Sequence, residues 1–268
     1  MAHIVHQFPE DEEEGIPPTL EYPLLEGENS EEIGTVLGDR FPRLVGLASM
    51  TRRDATAWWA SEFLTGWPEF MSPLRTLLLE RYQPQSIFTY EDGAWLSVQT
   101  TSSEFTDILL FPAQPLVQIE GIESLRARWP LESAAVIDRL IAFLHYCGGM
   151  RENIPSMSSD FSRDVLTIAG DNPWFHDSVK NPDGWADSVQ LFVSGDGQVL
   201  QIRPDGATGW WTEECIIRDY ARSIEELVRR FTLHRQTPFP KVASSEVHPY
   251  PFPFTAWCRG RCCTDETL

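Results

Sequence analysis

Apolar positions recur at helical spacing in several segments of the chain. Leucines and aromatic residues three or four positions apart predict helices over Arg53–Leu64, Glu69–Tyr82 and about Leu131–Tyr146. The third segment has a continuous apolar stripe and runs into Gly148-Gly149, a pair that favours a C-terminal cap.

Other segments show the shorter period of strands. Apolar runs of four to seven residues bounded by turn residues predict strands, which the turns at Asp92-Gly93 and Ser102-Ser103 would join into an antiparallel meander. The predicted strands are Ser86–Tyr90, Ala94–Thr100, Phe105–Phe111, Leu116–Ile119 and, later in the chain, Asp164–Ala169.

The stretch LFVSGDGQVLQI, from Leu191 to Ile202, allows two interpretations. A phosphate-binding loop places its glycines directly before a helix, because the helix N-terminus supplies free N–H groups. Here a second β-type run follows, so the Asp196-Gly197 pair favours a hairpin turn. The segment FTYEDGAWLSV, from Phe88 to Val98, resembles this stretch around its own Asp-Gly pair, which a duplication or generic hairpin chemistry would explain.

The region around this hairpin completes the predicted elements. Asn172–Asp187 is polar and predicts a loop. Ser223 and Glu226 stand at capping-box spacing and predict a final helix. The order of helices, strands, helix, strands and helix lacks the alternation of a parallel sheet, so we expect an α+β fold with a mostly antiparallel sheet packed against helices.

Composition predicts three regions. Residues 1–38 hold ten carboxylates without Lys or Arg, which favours a disordered acidic arm. Within this arm the apolar YPLL (Tyr22 to Leu25) fits either a binding segment or an arm that lies against its own domain. Residues 39–235 would form the globular domain, as one unit or as two similar sub-units, 39–130 and 131–235. Residues 236–268 alternate prolines and aromatics, which predicts an irregular tail.

Charge and cysteine content restrict the classes of partner and compartment. The formal net charge of −19 would repel nucleic acid, so we expect no nucleic-acid partner. Five cysteines without repeated pair spacing predict no disulfide framework and favour a reducing compartment. The N-terminal sequence lacks a secretory pattern and no apolar run is long enough to span a bilayer. We therefore expect a cytoplasmic protein, with the nucleus as a further compartment.

Candidate metal ligands do not form a recognised pattern. The nearest groupings are His145 with Cys147, His176 with Asp177, and the tail cysteines, so we predict no metal and no cofactor. The tail cysteines Cys258, Cys262 and Cys263 would be free thiols, with acylation or metal binding as alternatives.

Catalytic motifs are equally scarce. The chain has no Gly-x-Ser-x-Gly elbow and no protease-like pairing of cysteine with histidine. Asp171, His176 and Asp183 are the nearest candidates for acid–base chemistry and would make the protein a hydrolase-type enzyme if the fold brought them together.

Ten tryptophans are the most unusual feature of the composition. Adjacent side chains on a helix or strand cannot point the same way, so one ring of each adjacent pair should lie near the surface. Exposed tryptophans are frequent anchors of protein interfaces. The alternative is that both rings of a pair pack, one in the core and one beneath an arm. The predicted partner-binding residues are Trp58, Trp59, Trp174, Trp185, Trp210 and Trp211.

Three segments in the second half of the chain form a combined pattern: FLHYCGG (Phe143 to Gly149), LFVSGDGQVLQI and ARSIEELVRRF (Ala221 to Phe231). Over about 90 residues, this pattern resembles the SUKH superfamily. That superfamily includes bacterial toxin-immunity proteins, a yeast cell-wall regulator and an early-protein family of betaherpesviruses and other DNA viruses. Ile224 departs from the aromatic that is common there, and the segment 154–187 has no match.

The resemblance implies an α+β sheet with helices on one side, an activity of binding another protein, and no shared catalytic residues. Together with the charge, it predicts a non-enzymatic interaction factor for a basic protein, such as an immunity-type inhibitor or a viral host-defence antagonist. A hydrolase around Asp171, His176 and Asp183 is one alternative. A structural or virion-associated protein that self-assembles through its tail is the other.

Overall fold

A computed structural model describes most of the chain between residues 3 and 236. The described ranges are 3–6, 19–24, 34–35, 42–48, 50–90, 93–101, 108–112, 119–152, 159–161, 166–180, 182–193, 199–211 and 215–236. The chain forms two compact units that alternate along the sequence: unit 1 is Met1–Val117 with Phe143–Arg163, and unit 2 is Gln118–Ala142 with Asp164–Leu268. This division differs from the sub-units 39–130 and 131–235 considered above.

Two of the helices of unit 1 lie where apolar spacing predicted them, within Arg53–Leu64 and Glu69–Tyr82, whereas the helix Pro42–Ala48 was not predicted. The helices are α1 (Pro42–Ala48), α2 (Arg52–Trp58) and α3 (Ser72–Arg81), with a π-helical turn over Trp59–Phe63 and a 3-10 turn over Glu69–Met71. Thr51 begins α2 as an N-cap, because its hydroxyl accepts a hydrogen bond from the backbone N–H of Asp54.

The strands of unit 1 form an antiparallel meander in which each strand pairs with the next. Ile87 and Leu96, which are paired across two neighbouring strands, are buried, and so are the residues directly before and after each of them. The strands are β1 (His3–His6), β2 (Thr19–Pro23), β3 (Tyr82–Tyr90), β4 (Gly93–Thr100), β5 (Ile108–Pro112), β6 (Arg151–Glu152) and β7 (Ser159–Phe161).

The expectation of a disordered arm over residues 1–38 is wrong for 3–6 and 19–24. β2 pairs with β3, where Tyr22 lies opposite Ile87, and the N–H of Leu24 donates to the carbonyl of Gln85 over 2.8 Å. Tyr22 and Leu24 are 1% and 2% exposed. Tyr22 to Leu24, the described part of YPLL, therefore lie against their own domain, because burial of apolar side chains and backbone pairing offset the cost of ordering the segment.

Unit 2 contains the other helices, and the boundary with unit 1 falls inside one of them. They are α4 (Ile122–Arg128), α5 (Ala134–Cys147), α6 (Pro173–Ser178) and α7 (Ile224–Gln236), with 3-10 turns over Leu131–Ser133 and Ala169–Asp171. α5 confirms the predicted long helix. The N–H of Gly148 donates to the carbonyl of Leu144, and Gly149 has φ +73°, as expected for a glycine cap.

Two local predictions in unit 2 need correction. The segment Asn172–Asp187 is not only a loop, because it contains α6, whose Phe175 lies one helical turn before the buried Val179. The predicted strand Asp164–Ala169 reduces, in its described part, to one antiparallel bridge between Ile168 and Val189. The chain there continues directly into a 3-10 turn.

The strands of unit 2 confirm the hairpin interpretation of LFVSGDGQVLQI. They are β8 (Val189–Val193), β9 (Val199–Ile202), β10 (Thr208–Trp211) and β11 (Ile217–Ala221), and each pairs antiparallel with the next. A strand and not a helix follows the Asp-Gly pair. The chain is thus an α+β protein, as predicted. The hydrophobic patterns of the sequence did not predict the strands β10 and β11.

The two similar hairpins share their register only in part. Gln190 pairs with Gln201, as the corresponding Ser86 pairs with Ser97. A bulge between Gln190 and Phe192 then shifts the pairing by one residue, so that Phe192 pairs with Leu200 whereas the corresponding Phe88 pairs with Trp95. The similarity in pairing therefore does not continue to the turn.

Candidate interaction surface

Trp58, at the end of α2, and the adjacent Trp59 differ in burial. Trp59 is 1% exposed, and its ring stacks on Phe63 with 4.6 Å between centroids and meets the edge of Phe111 at 5.4 Å. Trp58 is half-buried and lies 5.9 Å from Phe63. Trp58 is thus the less buried ring of the pair, although it too packs against Phe63.

The adjacent tryptophans on β10 also differ in burial, since neighbouring residues of a strand face opposite sides. Trp210 is buried and meets Phe192 and Tyr220 edge-on, with centroids 5.8 Å and 6.1 Å away. Trp211 is half-buried and packs edge-on against Phe175 at 5.9 Å.

The third group of predicted tryptophans lies before β8. Trp185 is buried: its ring fits against Gly209, whose missing side chain leaves the space, and the Arg203 guanidinium lies over it, 4.9 Å from the centroid. Trp174 belongs to α6, and its side chain lies outside the described residues. Trp59, Trp185 and Trp210 are thus core residues, so a role in partner contact stays a prediction for Trp58 and Trp211.

Arg128 joins two carboxylates of unit 2 that are distant in sequence. Its Nη1 donates to Oδ1 of Asp171 at 2.6 Å and its Nε donates to Oδ1 of Asp187 at 2.7 Å. These hydrogen bonds, with Asp171 first, raise the pKa of the Arg128 guanidinium. Next to it, the indole N–H of Trp129 donates to the carbonyl of Asp187 at 2.7 Å. The end of α4 is thereby fixed to the segment that holds the 3-10 turn and α6.

The geometry gives no support to the hydrolase hypothesis. Asp171 is held by Arg128, while Nε2 of His176 lies 3.2 Å from the carbonyl of Gly170. His176 and Asp183 are exposed, and within the described part of the chain no hydrogen bond joins the imidazole to Asp171 or Asp183. An acid–base pair requires such a contact, directly or through water. Catalysis by these residues remains a hypothesis.

The next candidates are the cysteines and histidines that were considered as metal ligands. Burial raises the pKa of the Cys147 thiol, which keeps it protonated and unreactive. Among the residues that the structure describes, no three His, Cys, Asp or Glu side chains come together as a metal site. Cys258, Cys262 and Cys263 lie outside those residues, so their state stays open.

Arginines and carboxylates are paired unequally on the surface of unit 2. Arg126, Arg128, Arg139, Arg203 and Arg230 all form ion pairs. Exposed carboxylates of the same unit form no ion pair with another described residue. The exposed cations Lys180, Arg222 and Arg229 form none either, and these cations are fewer than the carboxylates. These carboxylates are Glu120, Glu132, Asp138, Asp177, Asp183 and Asp219.

Exposed charges that form no ion pair with a described residue are of both signs in unit 1. Glu62, Glu69, Glu80 and Asp54 carry negative charge, and Arg52 and Arg53 carry positive charge. The sequence shows how many charged residues the chain has, but not which carboxylates form ion pairs. Arg128 and Asp171, for example, are 43 residues apart.

Comparison of the chain with models of protein families, with curated proteins and with solved structures finds no match. The similarity to the SUKH superfamily therefore remains a prediction from the three segments quoted above. None of the helices in the described part of the chain has the length and apolar content required to cross a membrane.

Proposed function

We propose that this protein is a non-enzymatic binding factor for a basic protein, which it occupies as an immunity-type inhibitor or a viral host-defence antagonist would. We place this activity in the cytoplasm, with the nucleus as a further compartment. The proposal uses the acidic surface as the element of recognition and needs no cofactor.

The observation that carries the proposal is the surplus of exposed, unpaired carboxylates in unit 2. Glu132, Asp138, Asp177, Asp183 and Asp219 are exposed and form no ion pair with a described residue, whereas five arginines of the same unit are bound to other carboxylates. A surface of one sign accelerates encounter with a surface of the opposite sign and fixes its orientation. It also disfavours association with nucleic acid, whose phosphates carry the same charge.

The experiment is affinity capture with the full-length protein from cell extract, at about 0.1 M and about 1 M salt. Raising the salt shortens the Debye length from about 10 Å to about 3 Å, so contacts between surface charges are screened. We expect a reproducible basic partner that is lost at high salt. Beads that carry an unrelated protein of equal net charge control for general capture of basic proteins.

Two results would contradict the proposal. One is capture that does not exceed the charge-matched control. The other is a partner retained equally at both salt concentrations, which would shift attention from the carboxylates to the half-buried rings of Trp58 and Trp211.

A further inference from the structure

An unusually exposed leucine stands between α4 and α5. Leu131 is 89% exposed, compared with 60% for Leu233 and 39% for Leu79 among the large hydrophobic side chains described. It occupies the 3-10 turn Leu131–Ser133 that leads into α5. Single exposed leucines are common on proteins, so exposure alone does not indicate a function.

The backbone that carries Leu131 is fixed on both sides. Trp129 is buried, and its indole N–H donates to the carbonyl of Asp187 at 2.7 Å. Ser133 is also buried, and its N–H donates to the carbonyl of Pro130 at 2.9 Å. The leucine is therefore presented outward by an anchored turn, so holding it in a binding site would cost little backbone entropy.

Short apolar residues surround this leucine on the helix. Ala134 and Ala135 are exposed, and they follow Leu131 at the three- and four-residue spacing that places side chains on one face. Because alanine ends at Cβ, Leu131 extends beyond its neighbours. Together with Pro130 and these two alanines, it forms a small protruding apolar knob.

The charges around the knob are unbalanced. The arginines on either side of it are occupied: Arg126 by Glu123 at 2.8 Å, Arg128 by Asp171 at 2.6 Å, and Arg139 by Glu225 at 2.7 Å. Glu132 and Asp138 are exposed and form no ion pair with a described residue. The apolar knob is thus flanked by two available negative charges.

We propose that this knob, Pro130, Leu131, Ala134 and Ala135 with Glu132 and Asp138, inserts into an apolar socket rimmed by Lys or Arg on the basic partner. The proposal rests on the proposed function and assigns a specific surface to it. Charge complementarity selects this occupant over a second copy of the chain, because two copies would bring Glu132 and Asp138 against like charges.

The first test uses the full-length protein with the photo-crosslinking residue benzoyl-phenylalanine in place of Leu131. The control carries the same residue in place of Leu79, an exposed leucine on α3. After irradiation in cell extract, we expect a cross-linked basic protein from position 131 that is absent from position 79. Equal cross-linking from both positions, or none from 131, would overturn the assignment.

The second test measures affinity for the purified partner by titration calorimetry. We expect Leu131→Ala and Asp138→Lys each to weaken the dissociation constant by about tenfold or more, which corresponds to about 1.4 kcal/mol. Leu79→Ala and Glu80→Lys, at exposed positions of α3, are the matched controls and should change it less than about twofold. All four side chains are exposed, and circular dichroism confirms that each variant remains folded.

The outcomes separate this proposal from the one on which it rests. A partner that binds wild type and all four variants equally would overturn the knob and leave the protein-binding function intact. Failure to capture any partner above the charge-matched control would overturn both. A wild-type dimer that Leu131→Ala dissociates, seen by sedimentation, would identify a second copy as the occupant and overturn the assignment to a basic partner.

Discussion

The guanidinium of Arg128 binds the carboxylate of Asp171 over 2.6 Å, although the two residues are 43 positions apart. The same arginine also binds Asp187. One side chain therefore fixes the end of α4 to both ends of the segment that contains the 3-10 turn, α6 and Trp185. Asp171 is consequently held in an ion pair, and the group of one guanidinium and two carboxylates keeps a net negative charge.

Replacement of Arg128 tests this role. We expect Arg128→Met to lower the free energy of unfolding by about 1 kcal/mol, because two charge-assisted hydrogen bonds are lost at a position that solvent partly screens. The measurement is urea unfolding at low salt. Arg126→Met, which removes a single exposed pair with Glu123, is the control and should cost less than about half as much. An equal cost for the two variants would contradict the bridging role.

The start of α7 predicts a dependence on pH. The carboxylate of Glu226 accepts from the N–H of Arg222 at 2.9 Å and from the guanidinium of Arg230 at 2.8 Å, and these contacts, the backbone one first, lower its pKa. A lowered pKa in the folded state stabilises the protein above the unfolded value of about 4.3, and this contribution disappears as the pH falls through the folded pKa.

We therefore expect Glu226→Gln to destabilise the protein by about 1 kcal/mol at neutral pH, and by progressively less as the pH falls from about 4.3 through the lowered pKa of the folded state. Unfolding in urea across this pH range measures the difference. Ser223→Ala, which removes the hydroxyl that accepts from the N–H of Glu226 at 3.2 Å, should cost a similar amount at every pH. A cost of Glu226→Gln that does not change with pH would show that its charge is unimportant.

Close packing of Trp185 predicts that Gly209 tolerates no side chain. A Cβ added there would lie 2.7 Å from Cζ2 of Trp185 and 2.9 Å from Cγ2 of Ile217. Both neighbours are buried, so we expect Gly209→Ala to cost about 2 kcal/mol through overpacking. Thermal unfolding measures it. Gly46→Ala on α1 is the control, since nothing lies within 4 Å of that position and alanine favours helix there. Equal melting temperatures for the two variants would contradict the observed packing.

The tryptophans of α2 should separate stability from binding. Trp59→Ala removes a buried ring that packs on Phe63 and Phe111, so we expect it to cost about 3–5 kcal/mol. Trp58→Ala, which removes a half-buried ring, should cost about 1 kcal/mol or less. Chemical unfolding compares them. Affinity for the captured partner then tests Trp58 as a contact, and an unchanged dissociation constant would exclude that role.

Short-range patterns determined much of the secondary structure. The apolar stripe of α5, its glycine cap and the Asp-Gly hairpin between β8 and β9 all depend on interactions within a few residues, which the sequence displays directly. The capping interaction at Ser223 is equally local, since its hydroxyl accepts from the N–H of Glu226. The carboxylate of Glu226, however, binds the N–H of Arg222 and not that of Ser223. The α+β class followed from the order of these elements.

Only the tertiary structure decided which side chains are buried and which charges are available. The sequence showed that the two rings of a Trp-Trp pair diverge, but not that Trp59 and Trp210 are the buried members. It showed a highly acidic chain, but not that Arg128 neutralises Asp171 while Glu132 and Asp138 stay available beside Leu131. The physical reason is distance along the chain: local propensity acts over a few residues, whereas burial and ion pairing depend on contacts between segments that only the complete fold brings together.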